Sequence, residues 1–359
     1  MAGVDWSRGD LDHSLRVLMV DPHDLATRRG ELSGVVRAGS LVLDVDSDTK
    51  AKASVKVVSG ARRGGWDGSS ALRLVHDVGD VTGPLLSETL FTGIVTSLSW
   101  SSAGDLYETS IELGSMLKAL DVEVFSDMYV MPPGSHAVAT WRQLCEQAGR
   151  ACRVDAAIPE RTYDYTLSFD AGWSLRKVLA YLARDAGATQ DVDPDGTVAL
   201  LPYTSPSARA HTYAVDETSP RGTMVGHPSG SDDTPSMPGR YVVHAESGDD
   251  HVVGEAYAPA GSATSRGVRG YLLDAYRSET SLSPFTAAHA AEVARSRLAV
   301  ALSEAASISH KLMYRPLTLR DVERLRGSDG RLSRWYVRSA RLDLGSWTWD
   351  LDLRGGWTA

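Results

Sequence analysis

Asp191-Val192-Asp193-Pro194-Asp195-Gly196 has the acidic spacing that opens a calcium loop, in which oxygen ligands recur at alternate positions. Such a loop needs a bidentate glutamate at its twelfth position, and Pro202 stands there. Thr197–Leu201 is moreover strand-like, so an acidic hairpin turn is expected, with calcium as the alternative. His244, Glu246, Asp249, Asp250 and His251 offer imidazole and carboxylate ligands to a metal. The two histidines are seven residues apart, across the turn of an expected hairpin and with no second cluster, so solvated polarity is the reading. Asp21-Pro22-His23-Asp24 follows a strand and reads as a turn rather than half of a catalytic triad. Cys145 falls on the apolar stripe of an expected helix and Cys152 just beyond it. Buried reduced thiols are expected, with a disulfide or metal pair as the alternative. Two thiolates cannot hold an iron–sulfur cluster, which takes about four. Arg62-Arg63-Gly64-Gly65-Trp66-Asp67-Gly68 lacks phosphate-loop spacing and reads as a turn. Gly-x-Ser-x-Gly, His-Glu-x-x-His and Walker motifs are absent from the sequence. Carboxylate pairs are plentiful, but without geometry they say nothing about glycoside hydrolysis. No catalytic, cofactor-binding or metal-binding residue is assigned, and no cofactor is expected.

The elements that would have to position any such chemistry are mostly strands. Leu41, Leu43 and Val45 share one face with Asp44 and Asp46 on the other, and Ala51, Ala53, Val55 and Val57 alternate with Lys50, Lys52, Ser54 and Lys56. At the far end Trp347, Trp349, Leu351 and Leu353 alternate with Thr348, Asp350, Asp352 and Arg354. A period of two means strands with one face buried and one in water. Further strands are expected at Leu15–Val20, from Val35–Val36 into 41–45, and at Ala71–Val75, Thr89–Trp100 and Tyr107–Leu113. The spacing suggests a barrel or sandwich.

Near Pro132-Pro133-Gly134 the character changes. Ser135 is the expected cap of a helix carrying Val138, Trp141, Leu144, Cys145 and Ala148 and ending at Gly149. A second helix follows Ser174, with Leu175, Val178, Leu179, Leu182, Ala183 and Ala186 on its apolar side and Gly187 at its end. Both helices close on Leu-x-x-x-Ala-Gly, a weak internal repeat or common helix-end chemistry. The stretch from Thr218 to Gly239 reads as a mobile loop, and Tyr241–His244 with His251–Val253 as a hairpin. The longest helix is expected from Ser283 as cap and Pro284 at its first position. Its small-residue stripe of Ala287, Ala291, Ala294, Leu298, Ala301 and Ala305 would pack closely on a sheet or a neighbouring subunit. Strands at Pro316–Leu325 and Trp335–Val337 flank Gly327-Ser328-Asp329-Gly330, and a slip of apolar phase between Val337 and Leu342 predicts a bulge.

The chain of 359 residues is long enough for several domains. Its 42% hydrophobic and 23% charged content is that of a folded protein. The net charge of −9, from 46 acidic against 37 basic side chains, argues against a phosphate-gripping nucleic-acid binder. An acidic surface would instead repel passing phosphates. No apolar run approaches the roughly 20 residues of a membrane span. Met1–Trp6 lacks the regions of a signal peptide, so synthesis and folding in a cytoplasm are expected.

The order of parts resembles the bacteriophage tail-hub family. Residues 34–44, Gly34-Val35-Val36-Arg37-Ala38-Gly39-Ser40-Leu41-Val42-Leu43-Asp44, and Phe91-Thr92-Gly93-Ile94-Val95 look like the first barrel of those proteins. Trp141–Gly149, Leu175–Gly187, Asp193–Val198 and Pro202-Tyr203 are similar to their second domain. Pro316-Leu317-Thr318-Leu319-Arg320-Asp321-Val322 resembles the start of their second barrel, with Ala340–Arg354 as its final hairpin. The family includes the baseplate hub of contractile tails, hub domains of siphophage tail-tip proteins and the hub half of type VI secretion spikes. The resemblance implies an α+β, mostly β fold with two tube-like antiparallel β-barrel domains. The first would span 1–120, a small α/β domain 121–205, a discontinuous second barrel 206–254 plus 310–359, and an inserted helical region 255–309. It further implies a homotrimer forming a pseudo-hexameric ring that adapts the tail tube to a three-fold tip in the virion, after synthesis in the host cytoplasm. Implied partners are the distal tail or tube ring, a tape-measure protein and spike, fibre or receptor-binding proteins, with DNA passing through the channel without specific binding. The chain stops at Ala359, so a lysozyme-like activity would come from another protein. Rival readings are a tail-associated cell-wall- or polysaccharide-degrading enzyme and a sugar-binding module using Trp66, Trp100, Trp347 and Trp349.

Overall fold

The computed structural model describes residues 4–219, 222–247, 250–279 and 286–358. In chain order the elements begin with β1 (Asp12–Val20), β2 (Arg28–Glu31), β3 (Val35–Asp44), β4 (Ala51–Ser59), β5 (Ala71–Asp80), β6 (Gly83–Ala103) and β7 (Leu106–Ser115). Then come α1 (Met116–Val122), β8 (Tyr129–Met131), α2 (Ala137–Gln147), β9 (Cys152–Val154), β10 (Leu167–Phe169), α3 (Leu175–Asp185), β11 (Ala188–Val192) and β12 (Val198–Pro202). The rest is β13 (Tyr213–Asp216), β14 (Met224–Asp232), β15 (Arg240–Ser247), β16 (Asp250–Tyr257), α4 (Arg266–Arg269), β17 (Asp274–Glu279), α5 (Ala287–Ser303), β18 (Ala306–Met313), β19 (Val322–Arg326), β20 (Leu332–Asp343) and β21 (Thr348–Thr358). No helix among the described residues is long and apolar enough to cross a membrane.

Two compact units divide the chain. One comprises Met1–Thr204, Leu312–Leu319 and Ser339–Asp350; the other Ser205–Lys311, Arg320–Arg338 and Leu351–Ala359. The last fifty residues, read from the sequence as one barrel with 206–254, are thus divided between the two.

In the first unit the strands run β3-β4-β7-β6-β5-β1-β2, antiparallel throughout, with residues 339–343 of β20 paired to β3. The alternation in β4 has the expected outcome: Ala51, Ala53, Val55 and Val57 are buried while Lys52 and Lys56 stay in water. The class is mostly β with large antiparallel sheets, as expected; among the described residues the ladder does not close into a barrel. Below it, α1, α2 and α3 pack with β9-β12-β11 around Trp141, Leu144, Cys145, Val178, Leu179, Leu182 and Leu200.

The helix ends show which local signals prevail. Ser174 caps α3 by accepting from Lys177 N at 3.3 Å. Ser135, expected to cap α2, instead donates to the Pro132 carbonyl, and His136 occupies the cap position. The α2 N-terminus is satisfied from elsewhere: Glu160 accepts from Val138 N at 2.7 Å and Ala139 N at 3.2 Å. A carboxylate there also complements the helix dipole. The shared Leu-x-x-x-Ala-Gly endings act alike, Ala148 N bonding to Leu144 O and Ala186 N to Leu182 O, before Gly149 and Gly187 turn left-handed at φ 65° each.

In the second unit β14-β18-β21-β20-β19 run in that order, with β13 parallel to β19. A separate sheet, β16-β15-β17, lies under α5. Ser283 and Pro284 lie outside the described residues; the described helix begins after Thr286, whose hydroxyl accepts from His289 N at 3.2 Å. The buried face of α5 is Ala290, Ala294 and Leu298: Ala294 and Leu298 are buried as the predicted stripe has them, while a rotation at the N-terminal turns puts Ala290 inside and leaves Ala287 exposed. The sheet sets that rotation: a Cβ on Gly254 of β16 would sit 2.1 Å from the backbone carbon of Ala290 and the nitrogen of Ala291.

Two further expectations are corrected, and the predicted phase slip is located. The stretch 218–239 is not simply a loop, because β14 forms there as an edge strand with its side chains mostly in water. The strand expected at Pro316–Leu325 is limited to β19; Leu317 and Leu319 are buried without ladder structure. The phase slip falls at Tyr336 and Val337, both buried, where β20 leaves β19 and before it takes up β3 at Ser339. The β19 and β3 ladders run without a bulge; β20 also pairs with β21.

Candidate functional site

The sequence-flagged clusters resolve into structural roles. Asp191 and Val192 end β11, and Asp193-Pro194-Asp195-Gly196 turn into β12 as an antiparallel hairpin. Asp193 is held by Arg153 at 2.6 and 2.9 Å, and Asp195 accepts from Thr197 N at 2.9 Å. Asp21 accepts from His23 N at 2.8 Å and from Arg29 at 2.6 Å, so Asp21–Asp24 is a turn with an anchored carboxylate. His244 and His251 stack at 5.9 Å across the β15–β16 hairpin, where Glu246 is the register partner of His251. Asp249 lies outside the described residues. Among the described residues no three His, Cys, Asp or Glu side chains converge as metal ligands.

Each of the four flagged tryptophans has its own partner. Trp66 donates to Ser70 O at 2.9 Å, and the Arg62 guanidinium lies 4.5 Å over the Trp100 ring. Trp349 is 2% exposed and donates to Arg315 O at 2.9 Å. Trp347 precedes β21 with a left-handed φ of 54°, so it stands outside the strand that its alternation suggested.

That turn presses Trp347 into a buried polar cluster that the sequence did not reveal. His76 of β5 is wholly buried, with the Trp347 ring stacked on it at 4.0 Å and the Tyr314 ring edge-on at 4.4 Å. His13 Nδ1 and His76 Nε2 are 2.9 Å apart, His76 Nδ1 and Glu88 Oε1 3.3 Å, and Tyr314 Oη donates to the same oxygen at 2.5 Å. A carboxylate accepting from both Tyr314 and His76 leaves His76 Nε2 as acceptor for His13. Two fully protonated rings would put N–H against N–H, so the pair holds one positive charge at most. Burial first, and His76 second, hold the His13 pKa below its ordinary value. Burial and the Glu88 carboxylate push Tyr314 up, so its hydroxyl stays a donor. His13, His76, Glu88 and Tyr314 carry no motif spacing; pairing β1 with β5 and β5 with β6 brings the first three together, and Tyr314 joins from the segment after β18, where its N–H bonds to Trp347 O at 2.8 Å. His76 and Tyr314 are buried while His13, Glu88 and Trp347 are half-buried, so the cluster ties chain segments together at the edge of the core.

The second unit has a groove of about 430 Å³ lined by Ala214, Val215, Asp216, Arg324, Arg326, Gly330 and Leu332. It offers two guanidinium groups and a carboxylate, with Arg326 and Asp216 3.7 Å apart, but no nucleophile. More distinctive are exposed apolar side chains at strand ends of the first unit: Val81 at 94%, with Leu85, Trp100 and Leu106. Val122, Val124, Met128 and Val130 form a second exposed group within nine residues. Edge strand β2 carries Arg28, Arg29 and Glu31, charges that oppose indiscriminate strand pairing.

No family model matches the sequence, and no curated protein is similar to it in sequence. Solved structures are similar over almost the whole chain. A tail protein from Neisseria meningitidis MC58 aligns with a TM-score of 0.68 at 12% identity, covering 95% of this chain and 96% of that one. The 43 kDa tail protein of prophage MuSo2 from Shewanella oneidensis gives 0.68 at 9% identity, covering 95% and 98%. An E. coli component of the type VI secretion system, itself structurally similar to T4 bacteriophage tail proteins gp27 and gp5, gives 0.50 at 10% identity over 90% of this chain and 75% of that one. The resemblance read from the sequence therefore holds at the level of fold: this chain has the fold of phage tail proteins and of that type VI component.

Proposed function

We propose that the protein is a structural hub of a phage or phage-like tail tip or baseplate, without enzymatic activity of its own. Three copies form a pseudo-hexameric ring that continues the tail tube and adapts it to a three-fold tip, with a channel for DNA and the tape-measure protein. The observation that carries this reading is end-to-end likeness to a tail protein, with 95% of this chain matched to 96% of the other. An arrangement of all parts, rather than one shared module, is what a common architectural role requires; fold alone would not specify chemistry.

The physical features agree. Each unit contributes a large antiparallel sheet, and ring closure gives such sheets and their exposed apolar ends defined neighbours. Val81, Leu85, Trp100 and Leu106 are suited to burial against the tube ring, tape-measure protein or spike. A net charge of −9 keeps passing phosphates from adhering.

Analytical ultracentrifugation at assembly-like concentrations tests the trimer, which has three times the 38.6 kDa chain mass. Electron microscopy of intact particles tests its place. A strictly monomeric protein, or particles that lack it, would sink the proposal. Clearing on a cell-wall zymogram, abolished by one carboxylate substitution, would favour an enzyme instead.

A further inference from the structure

His13, His76 and Glu88 project from one side of the first unit's sheet, on β1, β5 and β6, and Trp347 and Tyr314 cover the two histidines. The imidazole planes of His13 and His76 differ by 4°, with ring centroids 5.1 Å and facing nitrogens 2.9 Å apart. A centroid separation that large at so short a nitrogen contact puts the rings edge to edge in one plane, joined by an in-plane N–H···N bond. The Trp347 indole lies across this flat pair, 19° from the His76 ring at 4.0 Å and 21° from the His13 ring at 5.2 Å. Trp347 holds that place with a φ of 54°, which a bulky side chain rarely adopts. Two backbone bonds fix its turn: Trp347 N to Asp343 O at 2.9 Å and Tyr314 N to Trp347 O at 2.8 Å.

The proton inventory limits what this arrangement can hold. Glu88 accepts from Tyr314 and His76 Nδ1, and His76 Nε2 accepts from His13 Nδ1, which leaves His13 Nε2 over. One added proton fits on His13 Nε2 with every hydrogen bond intact, under the indole face and balanced by Glu88. A second would sit on His76 Nε2 against the His13 N–H, or on Glu88, where it would remove an acceptor. The remaining charged neighbours do not relieve this. Asp12 favours the His13 cation, but burial and His76 outweigh it. Asp77 is on the opposite side of β5, paired with Arg16. The Asp343 carboxylate is taken up by Gly345 N and Ser346 N within the turn.

We propose that this cluster is an acid-released latch, shut while His13 and His76 share at most one positive charge and opened, with the Asp343–Trp347 turn and Tyr314 leaving the sheet, when both rings are protonated. The turn and Tyr314 belong to the segments Ser339–Asp350 and Leu312–Leu319, by which the later chain returns to the first unit, so the latch controls that attachment. Release also lets Trp347 leave its left-handed conformation. In the open form both rings titrate near the ordinary value of about 6.5, whereas the shut form admits one charge. The shut form is therefore fully favoured above about pH 6.5 and loses ground as pH falls. From about pH 7.5 to about pH 5 the open-to-shut ratio rises about 30-fold for the one imidazole that must give up its proton to close. The inference rests on the first unit alone and does not depend on the hub reading.

Amide hydrogen exchange of the full chain, corrected for the intrinsic effect of pH, reads this ratio at Trp347 and Tyr314, with the β4–β7 ladder as control. Protection at the two amides is expected to fall about 30-fold between about pH 7.5 and about pH 5 while the ladder holds. In His13→Gln the side-chain amide can turn its oxygen to a protonated His76, so the fall should flatten to within about threefold. Glu88→Gln removes the balancing carboxylate, and the fall should steepen. Unchanged protection at Trp347 and Tyr314 in the wild type, or a parallel fall in the β4–β7 ladder, would overturn the latch. So would a wild-type slope in His13→Gln or a shallower one in Glu88→Gln. Should His13→Gln fail to fold, the wild-type and Glu88→Gln slopes decide the matter.

Discussion

Gly254→Ala is expected to lift α5 off the β15–β16 sheet. The new Cβ would lie 2.1 Å from two backbone atoms of the helix, Ala290 C and Ala291 N, and 2.6 Å from Ala290 O. No rotamer relieves a backbone clash. Restoring an ordinary separation of about 3.4 Å moves the helix outward by about 1.3 Å, and a gap of that order forfeits about half of the packing energy at the contact. The face at risk is Ala290, Ala294 and Leu298 against Val243 and Ala256, all 4% exposed or less. One leucine and a few alanines contribute about 5 kcal/mol when buried, so the loss is about 2–3 kcal/mol, in the range of overpacking substitutions. Hydrogen exchange over 240–257 and 287–303, read beside chemical denaturation, reports it locally. Gly267→Ala, with nothing within 4 Å of its new Cβ, serves as the control. A Gly254→Ala protein within about 0.5 kcal/mol of wild type, the scatter of ordinary surface changes, with unchanged exchange over α5, would refute the close-packing argument.

Two other perturbations follow from polar side chains. Glu160→Ala removes both acceptors at the α2 N-terminus and should cost about 1–2 kcal/mol; Ser135→Ala should cost less, and the reverse ranking in urea titrations would contradict the capping geometry. His310 of β18 is wholly buried 3.2 Å from Glu323, yet neither ring nitrogen makes a hydrogen bond, and burial lowers its pKa from 6.5 to about 4. A histidine held neutral in the fold stabilises above its unfolded pKa and loses that contribution as pH falls towards the folded value. Relative to pH 7, about 2 kcal/mol should be gone by pH 5 and about 3 kcal/mol by pH 4. Stability curves of wild type and His310→Gln should therefore converge on acidification; parallel curves between pH 7 and pH 4 would exclude His310 as the source.

The repeating patterns were legible because each residue's neighbours along the chain are its neighbours in the element. Alternation in residues 51–57 and three-and-four spacing in residues 175–186 announce β4 and α3 whatever lies around them. β14 was illegible for the opposite reason: it is held by backbone pairing while its side chains remain in water, so composition reads as loop. The α2 cap failed similarly, because a carboxylate arriving from residue 160 displaced the nearest serine.

By itself the sequence determined the mostly β class, the helices after Ser135 and Ser174, the acidic charge and the order of parts that resembles tail hubs. Tertiary structure alone decided that residues 339–350 pack with the first unit, that α5 presents Ala290 rather than Ala287, and that His13, His76, Glu88 and Tyr314 meet. Local order follows from short-range backbone geometry, whereas these meetings depend on strand register and on how closely two backbones can approach. Neither quantity is written in any single stretch of chain.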